Sequence, residues 1–144
     1  MKTRIVVDST ADILPEYLDQ IHTVPLTVSF GEEEYIDGVT IDHRTFYQKL
    51  IETDAMPSTS QASPAAFAEQ YDQAADDEEV VVITISSKLS GTYQSAMIAA
   101  AGCSSVYVVD SENASVGCGI LVGLALRYLR DGMTASAIAE KLQE

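Results

Sequence analysis

Apolar residues in this chain fall into short β-branched runs that alternate with longer stretches spaced like helices. Ile5–Val7, Val24–Phe30, Val80–Ile85 and Val106–Val109 are too short and too β-branched for helices, and they read as strands. Tyr35 and Ile36, beyond a turn at Gly31 and the acidic run Glu32-Glu33-Glu34, predict a hairpin return with the glutamates at a solvated loop tip. Pro15 suits a first helical position and opens a short helix to about Gln20. Asp42 can cap a helix from His43 to Glu52, with Phe46, Leu50 and Ile51 facing inward. Ser63-Pro64 opens another helix with Phe67 and Tyr71 inward, and Asp76 to Glu79 form an acidic connector behind it. A helix from Tyr93 ends at a Gly102 cap. The stretch Val116–Arg130 is apolar on most sides, is expected in the interior, and stops at Asp131-Gly132. Thr134 caps a last helix with Ile138 and Leu142 on one face.

Strands that alternate with helices predict an α/β layered domain, its largely parallel central sheet flanked by helices. In such sheets ligands bind outside the carboxyl ends of the strands. That rule gathers three polar loops at one edge: Asp8–Asp12, Ser86–Thr92 and Asp110–Ser111. The segment Pro57–Pro64, with two prolines around hydroxyl and amide residues, reads as an irregular loop placed to fold over them. The chain is organised around Glu79–Ala100, where a buried strand delivers a hydroxyl-rich turn onto a helix N-terminus. Free N–H groups and the positive end of a helix dipole make such a turn a seat for an anion.

Composition narrows the partners. With 144 residues, 47% hydrophobic and 21% charged, the chain has the size and make-up of one globular domain. There are 22 acidic and 8 basic side chains, a net charge of −14, and Lys88 is the only basic residue between Leu50 and Leu126. Binding nucleic acid takes clustered Lys and Arg, so that class is set aside. The acidity reads as solubility, or as a face that docks a basic partner. Cys103 and Cys118 form no CxxC pair and are expected to be small core residues. Few histidines and no repeated ligand spacing argue against a metal site or cofactor. The N-terminus lacks an apolar signal region, and the longest apolar tract, Val116–Leu126, is about half a membrane span, so a cytoplasmic protein is expected.

Enzymatic motifs are lacking. There is no GxxxxGK[ST], no GxSxG, and no GxGxxG after a strand. Asp8 after a strand resembles the start of a phosphotransfer DxDxT motif, but the second acid is replaced by Thr10. A nucleophilic serine needs a base within reach, and only His22 and His43 are on offer. Neutral donors at a helix N-terminus without an adjacent base suit holding an anion rather than attacking it. The alternative is a small-anion or phosphotransfer enzyme using Asp8 at the sheet edge.

Five segments in order, VVDSTAD, PLTVSFGEEEYIDG, PSTSQASP, ISSKLSGTYQSA and VVDSENASVGCG, resemble the DegV family of fatty-acid-binding proteins along the whole chain. The resemblance implies a two-domain α/β fold that clasps one long-chain fatty acid, such as palmitate. It also implies a non-enzymatic carrier that presents the acid to a fatty acid kinase. It implies Thr59 and Ser90 as ligands of the carboxylate, with Ser60, Gly91 and Thr92 in supporting roles and the Asp8–Asp12 loop nearby. Ala62 stands where the family usually has proline, and Lys88, where a small residue is common, is expected to be exposed. Family members are about twice this length, so residues 1–144 are expected to correspond to the N-terminal domain, the second domain lying outside this chain.

Overall fold

The computed structural model describes residues 2–11, 13–30, 32–37, 41–52, 57–74, 77–101, 103–114 and 116–143; the side chains of His43 and Thr59 lie outside that description. The expected Gly31 turn, Asp76, the Gly102 cap and Asp12 also fall outside the described residues, and Glu78 and Glu79, read as part of the acidic connector, instead begin a strand.

Four strands form the central sheet: β1 (Lys2–Asp8), β2 (His22–Val24), β6 (Glu78–Thr84) and β7 (Val106–Asp110), in the order β2-β1-β6-β7, every pair parallel. Alternation along the strands divides their side chains between two cores. Ile5, Val7, Val81 and Ile83 pack with Val122, Leu126, Ile138 and Leu142 of α4 (Val116–Arg130) and α5 (Ala135–Gln143). Val6, Val80 and Val82 pack on the other face with Phe67 and Tyr71 of α2 (Pro64–Asp72) and Ala96 of α3 (Thr92–Ala100). Both faces are covered, which is why these strands read as unbroken apolar runs.

A second sheet is the main departure from expectation. It is antiparallel, ordered β4-β3-β5, with β3 (Thr27–Phe30) between β4 (Glu33–Ile36) and β5 (Pro57–Ser60). Val28, Phe30 and Ile41, with Tyr35 and Phe46 packed against them, form its small core. The run Val24–Phe30 is therefore two strands in two sheets, divided at Pro25, which has no N–H to give to a ladder. Pro57–Ser60 is not irregular loop: Val28 registers with Thr59 and Thr27 with Ser60. The acidic run is no loop tip either, since Glu33 and Glu34 begin β4, though both remain exposed.

The helices follow their signals more closely. Asp42 Oδ1 accepts the Thr45 N–H (2.7 Å) and starts α1 (His43–Glu52). Ser63 Oγ accepts the Ala66 N–H (3.2 Å), and Thr134 Oγ1 the Ala137 N–H (3.2 Å). At the end of α4, Gly132 N–H reaches Leu129 O (3.1 Å) and Met133 N–H reaches Tyr128 O (3.1 Å), with Gly132 at φ +86°, a Schellman closure. Residues 15–20 form a 3₁₀ helix. Three burial expectations fail. Leu50 and Ile51 are exposed, Ile51 by 85%, because only Phe46 reaches the small second core. Val116 and Ile120 lie on an outward stripe of α4, so that helix is interior on one face only. Cys103 is exposed, just past the end of α3, whereas Cys118 is buried as expected.

The outer edge of the central sheet is β7. Val80 N–H bonds Ser105 O and Ser111 N–H bonds Thr84 O, so residues 106, 108 and 110 turn their backbone groups outward. At Asp110 both groups are taken by one side chain: Gln143 Oε1 accepts the Asp110 N–H (3.2 Å) and Gln143 Nε2 donates to its carbonyl (3.1 Å). Val106 and Val108 border an apolar groove shared with Met97 and Ala100 of α3.

Candidate functional site

The order β2-β1-β6-β7 means that the chain adds strands on one side of β1 and then on the other. The crevice outside the carboxyl ends of β1 and β6 is thus the switch point of this sheet. Asp8, at the end of β1, spans it. Asp8 Oδ2 accepts the Ile85 N–H just past β6 (2.6 Å), while Oδ1 accepts the Thr10 N–H (2.9 Å) and the Thr10 hydroxyl. The side chain is buried and both oxygens are engaged. Ser9 ties the same corner to the end of β2 and the connection after it: its N–H donates to Val24 O (3.0 Å) and its Oγ accepts the Leu26 N–H (3.0 Å). The Asp-Ser-Thr segment therefore fastens strand ends together.

The turn that follows β6 winds around buried Ser86. Ser86 O accepts the N–H groups of Leu89 (3.0 Å) and Ser90 (3.2 Å), and Ser86 Oγ accepts that of Lys88 (3.2 Å). On its far side the turn is held by β7. Ser86 N–H donates to Asn113 O (2.9 Å), and Asp110 Oδ1 accepts the N–H groups of Ser87 (3.1 Å) and Glu112 (3.0 Å). Burial acts against the Asp110 carboxylate, yet these donors outweigh it and hold its carboxyl below the ordinary aspartate value. Glu112 takes a left-handed φ of 55° to make the fit. Ser111 Oγ lies 3.2 Å from Cys118 Sγ, and burial pushes that thiol above its ordinary value, which makes it a poor nucleophile. Two of the three loops expected to share this edge, those after β6 and β7, are thus tied directly.

Helix α3 starts from this turn. Ser90 Oγ accepts the Thr92 N–H (3.2 Å) and lies 2.9 Å from Thr92 Oγ1. The N–H groups of Tyr93 and Gln94 have no acceptor among the described residues. Thr92 is fully buried, Ser90 and Gly91 are half-buried, and Lys88 is exposed as expected. The arrangement offers a small polar lip, two hydroxyls and helix N–H groups, and among the described residues no titratable side chain is hydrogen-bonded to Ser90 or Thr92.

The end of β5 reaches the same lip. Ser60 is exposed on that strand, and Thr59 is placed there by its backbone pairing with Val28. Gln61 follows, its Nε2 donating to the buried Ser95 Oγ on α3 (3.2 Å). A Cβ on Gly91 would collide with the Gln61 amide, so the space the glycine leaves is filled by this side chain. Ala62, next along, is buried in the α2–α3 core. Gln61 and Ser95 had no assigned role in the sequence; Gln61 stood in plain view between Ser60 and Ala62, but only the fold shows what it reaches. Thr84 Oγ1, buried at the end of β6, has no partner among the described residues.

Comparison with known proteins agrees with this architecture. A family model described as an uncharacterised protein of the DegV family matches residues 2–144. A DegV domain-containing protein of Deinococcus radiodurans is 40% identical over 147 residues, covering 99% of this chain and 52% of the relative. Among solved structures, a Thermus thermophilus DegV family protein described for fatty acid binding aligns with a TM-score of 0.87 at 38% identity, over 99% of this chain and 52% of its own. A stearic acid-binding protein of Eubacterium ventriosum aligns with a TM-score of 0.86 at 33% identity, over 99% and 52%. The chain spans about half the length of the curated relatives it matches. With the five sequence segments, the parallel sheet and a family match over nearly every residue all in agreement, this chain belongs to the DegV family.

Proposed function

We propose that this chain forms one half of a carrier for a long-chain fatty acid, the carboxylate seated at the lip between β5 and α3. The observation that carries the reading is the meeting of two hydroxyl-bearing segments, the end of β5 and the Ser90 turn, beside open N–H groups of α3. Ser90 and Thr59 are the carboxylate ligands in this reading, with Ser60, Gly91 and Thr92 supporting them. Fatty acids named for the Thermus and Eubacterium relatives supply the ligand class. The carrier performs no chemistry itself and hands the acid to a fatty acid kinase.

Energetics assign separate tasks to head and tail. Each buried methylene is worth about 0.8 kcal/mol, so a long tail contributes on the order of 10 kcal/mol. A hydrogen bond to the charged head nets roughly 1.5–3 kcal/mol. The tail sets affinity and the lip sets orientation. Since the relatives are about twice as long, a second unit is proposed to complete the acyl cavity. The phosphotransfer alternative gains no support from Asp8, whose carboxylate oxygens are already engaged.

Lipid extraction of the purified protein followed by mass spectrometry tests the proposal. A co-purifying long-chain fatty acid is expected when a second unit completes the cavity, and little retained lipid when the chain is alone. A lipid-free protein that hydrolyses phosphate esters with Mg²⁺ would overturn it in favour of the enzyme.

A further inference from the structure

We infer that Gln61 is a positioning residue of the head-group lip: through Ser95 and Gly91 it fixes the end of β5 against the turn that carries Ser90. This inference rests on the fatty-acid reading for its functional part. Three observations carry it. Gln61 is on the connection from β5 to α2, yet its amide Nε2 donates to Ser95 Oγ, one helical turn into α3. Ser95 is buried and fixed within that helix, its own N–H bonded to Gly91 O (3.0 Å), so it is a rigid anchor. Gly91, at the helix start, has no side chain in the one place where the Gln61 amide lies. Its φ of −80° is open to any residue, so backbone conformation does not require the glycine here. The close approach of Gln61 does.

The bridge has a geometric consequence. Thr59 is on β5 of the second sheet and Ser90 in the turn between β6 and α3, and nothing in either ladder sets their separation. A single side chain crossing from one segment to the other does so. Small displacements of binding groups weaken recognition steeply, so the residue that holds the spacing matters as much as those that touch the ligand.

The ¹⁵N-labelled chain, ligand-free and then titrated with dodecanoate, tests the inference. The variants are Gln61→Met, which keeps length but loses the amide, Ser95→Ala, Gly91→Ala, and the pairs Gln61→Met/Ser95→Ala and Gln61→Ala/Gly91→Ala. In the free protein, Gln61→Met and Ser95→Ala are expected to shift the amide signals of Ser60 and of Ser90–Thr92 together, with the pair no worse than either alone. Gly91→Ala is expected to produce the same shifts, and to add little once Gln61 is already alanine. Dodecanoate affinity is expected to fall about tenfold in each single variant, the effect of one lost hydrogen bond. Unmoved Ser90–Thr92 signals in the Gln61 and Ser95 variants would overturn the bridge, whatever the lipid does. Shifted signals with unchanged dodecanoate affinity would overturn its positioning role. If dodecanoate moves no signal at Ser90 or Thr92 in the unsubstituted chain, the fatty-acid reading itself falls, and the free-protein shifts then report the bridge as a structural contact only.

Discussion

Ser90 does two jobs with one oxygen: it caps the Thr92 N–H and pairs with the Thr92 hydroxyl, while remaining half-buried at the lip. Ser90→Ala is expected to cost about 1 kcal/mol of stability through the lost hydrogen bonds to Thr92 and, with a second unit completing the cavity, to lower fatty-acid retention more than that cost explains. Unchanged retention, measured beside the thermal midpoint, would remove Ser90 from the site. Thr84 is the opposite case. Its buried hydroxyl has no partner among the described residues, and such a group costs about 1–3 kcal/mol of desolvation. Thr84→Val keeps the shape, so chemical denaturation should find it neutral or more stable; a clear loss would mean the hydroxyl is bonded. Among the described histidine side chains, His22 gives a pH response near neutrality. Arg4 Nη2 donates to His22 Nδ1 (3.2 Å), which requires a neutral ring, and partial burial followed by the Arg4 charge lowers its pKa, partly offset by Glu78. The unfolded chain therefore takes up the proton more readily, so stability is full above the ordinary value of 6.5 and is lost as pH falls below it. Denaturation midpoints on either side of that value should fall on acidification in the native chain, and by less in His22→Gln.

At the scale of elements, Gly132 gives the sharpest test. At φ +86° and with nothing within 4 Å of a built Cβ, its role is purely backbone. Gly132→Ala is expected to cost about 1 kcal/mol, read as a lowered midpoint with no change in the fold. The same closure was legible in the sequence, as were α5, α4 and the capped start of α2, because glycine and hydroxyl residues leave local signals at helix ends. Strands β1, β6 and β7 were legible because burial on both faces leaves continuous β-branched runs. The second sheet was not. Pro57-Ser58-Thr59-Ser60 has almost no apolar content, and it forms a strand only because β3 offers it a ladder. The division at Pro25 was hidden because apolar residues continue on both sides of it. Leu50 and Ile51 repeat at helical spacing, yet the core beneath α1 is too small to cover them. The Ser90 turn and the segment of Thr59 could be brought towards one edge from the sequence, though the latter as a loop rather than the strand it is. The amide that joins them could not, because a contact 34 residues apart leaves no local pattern.

For the whole molecule, the notable surface is apolar. Leu14 and Leu18 follow β1, Leu89 sits in the turn after β6, and Val116 and Ile120 open α4 after β7; all are more than half exposed. Each belongs to a connection that leaves the carboxyl edge of the central sheet, the edge that bears the lip. An open half-cavity can orient a carboxylate but encloses little of a tail. This chain by itself is therefore expected to bind palmitate and shorter acids only weakly, in the range an NMR titration follows, and a thermal-shift titration giving submicromolar affinity would contradict that.

The clasp of Gln143 on Asp110 has a consequence for how copies of this protein tolerate one another. Strand β7 ends the sheet, and its outward backbone groups would accept a strand from any neighbour that supplied one. Only three residues, Val106, Val108 and Asp110, present those groups, and the Gln143 amide occupies both at Asp110. What remains is Val106 to Val108, at the short end of the range for strands. One glutamine in the last turn of α5 thus shortens the stretch of the β7 edge left open to a neighbouring strand.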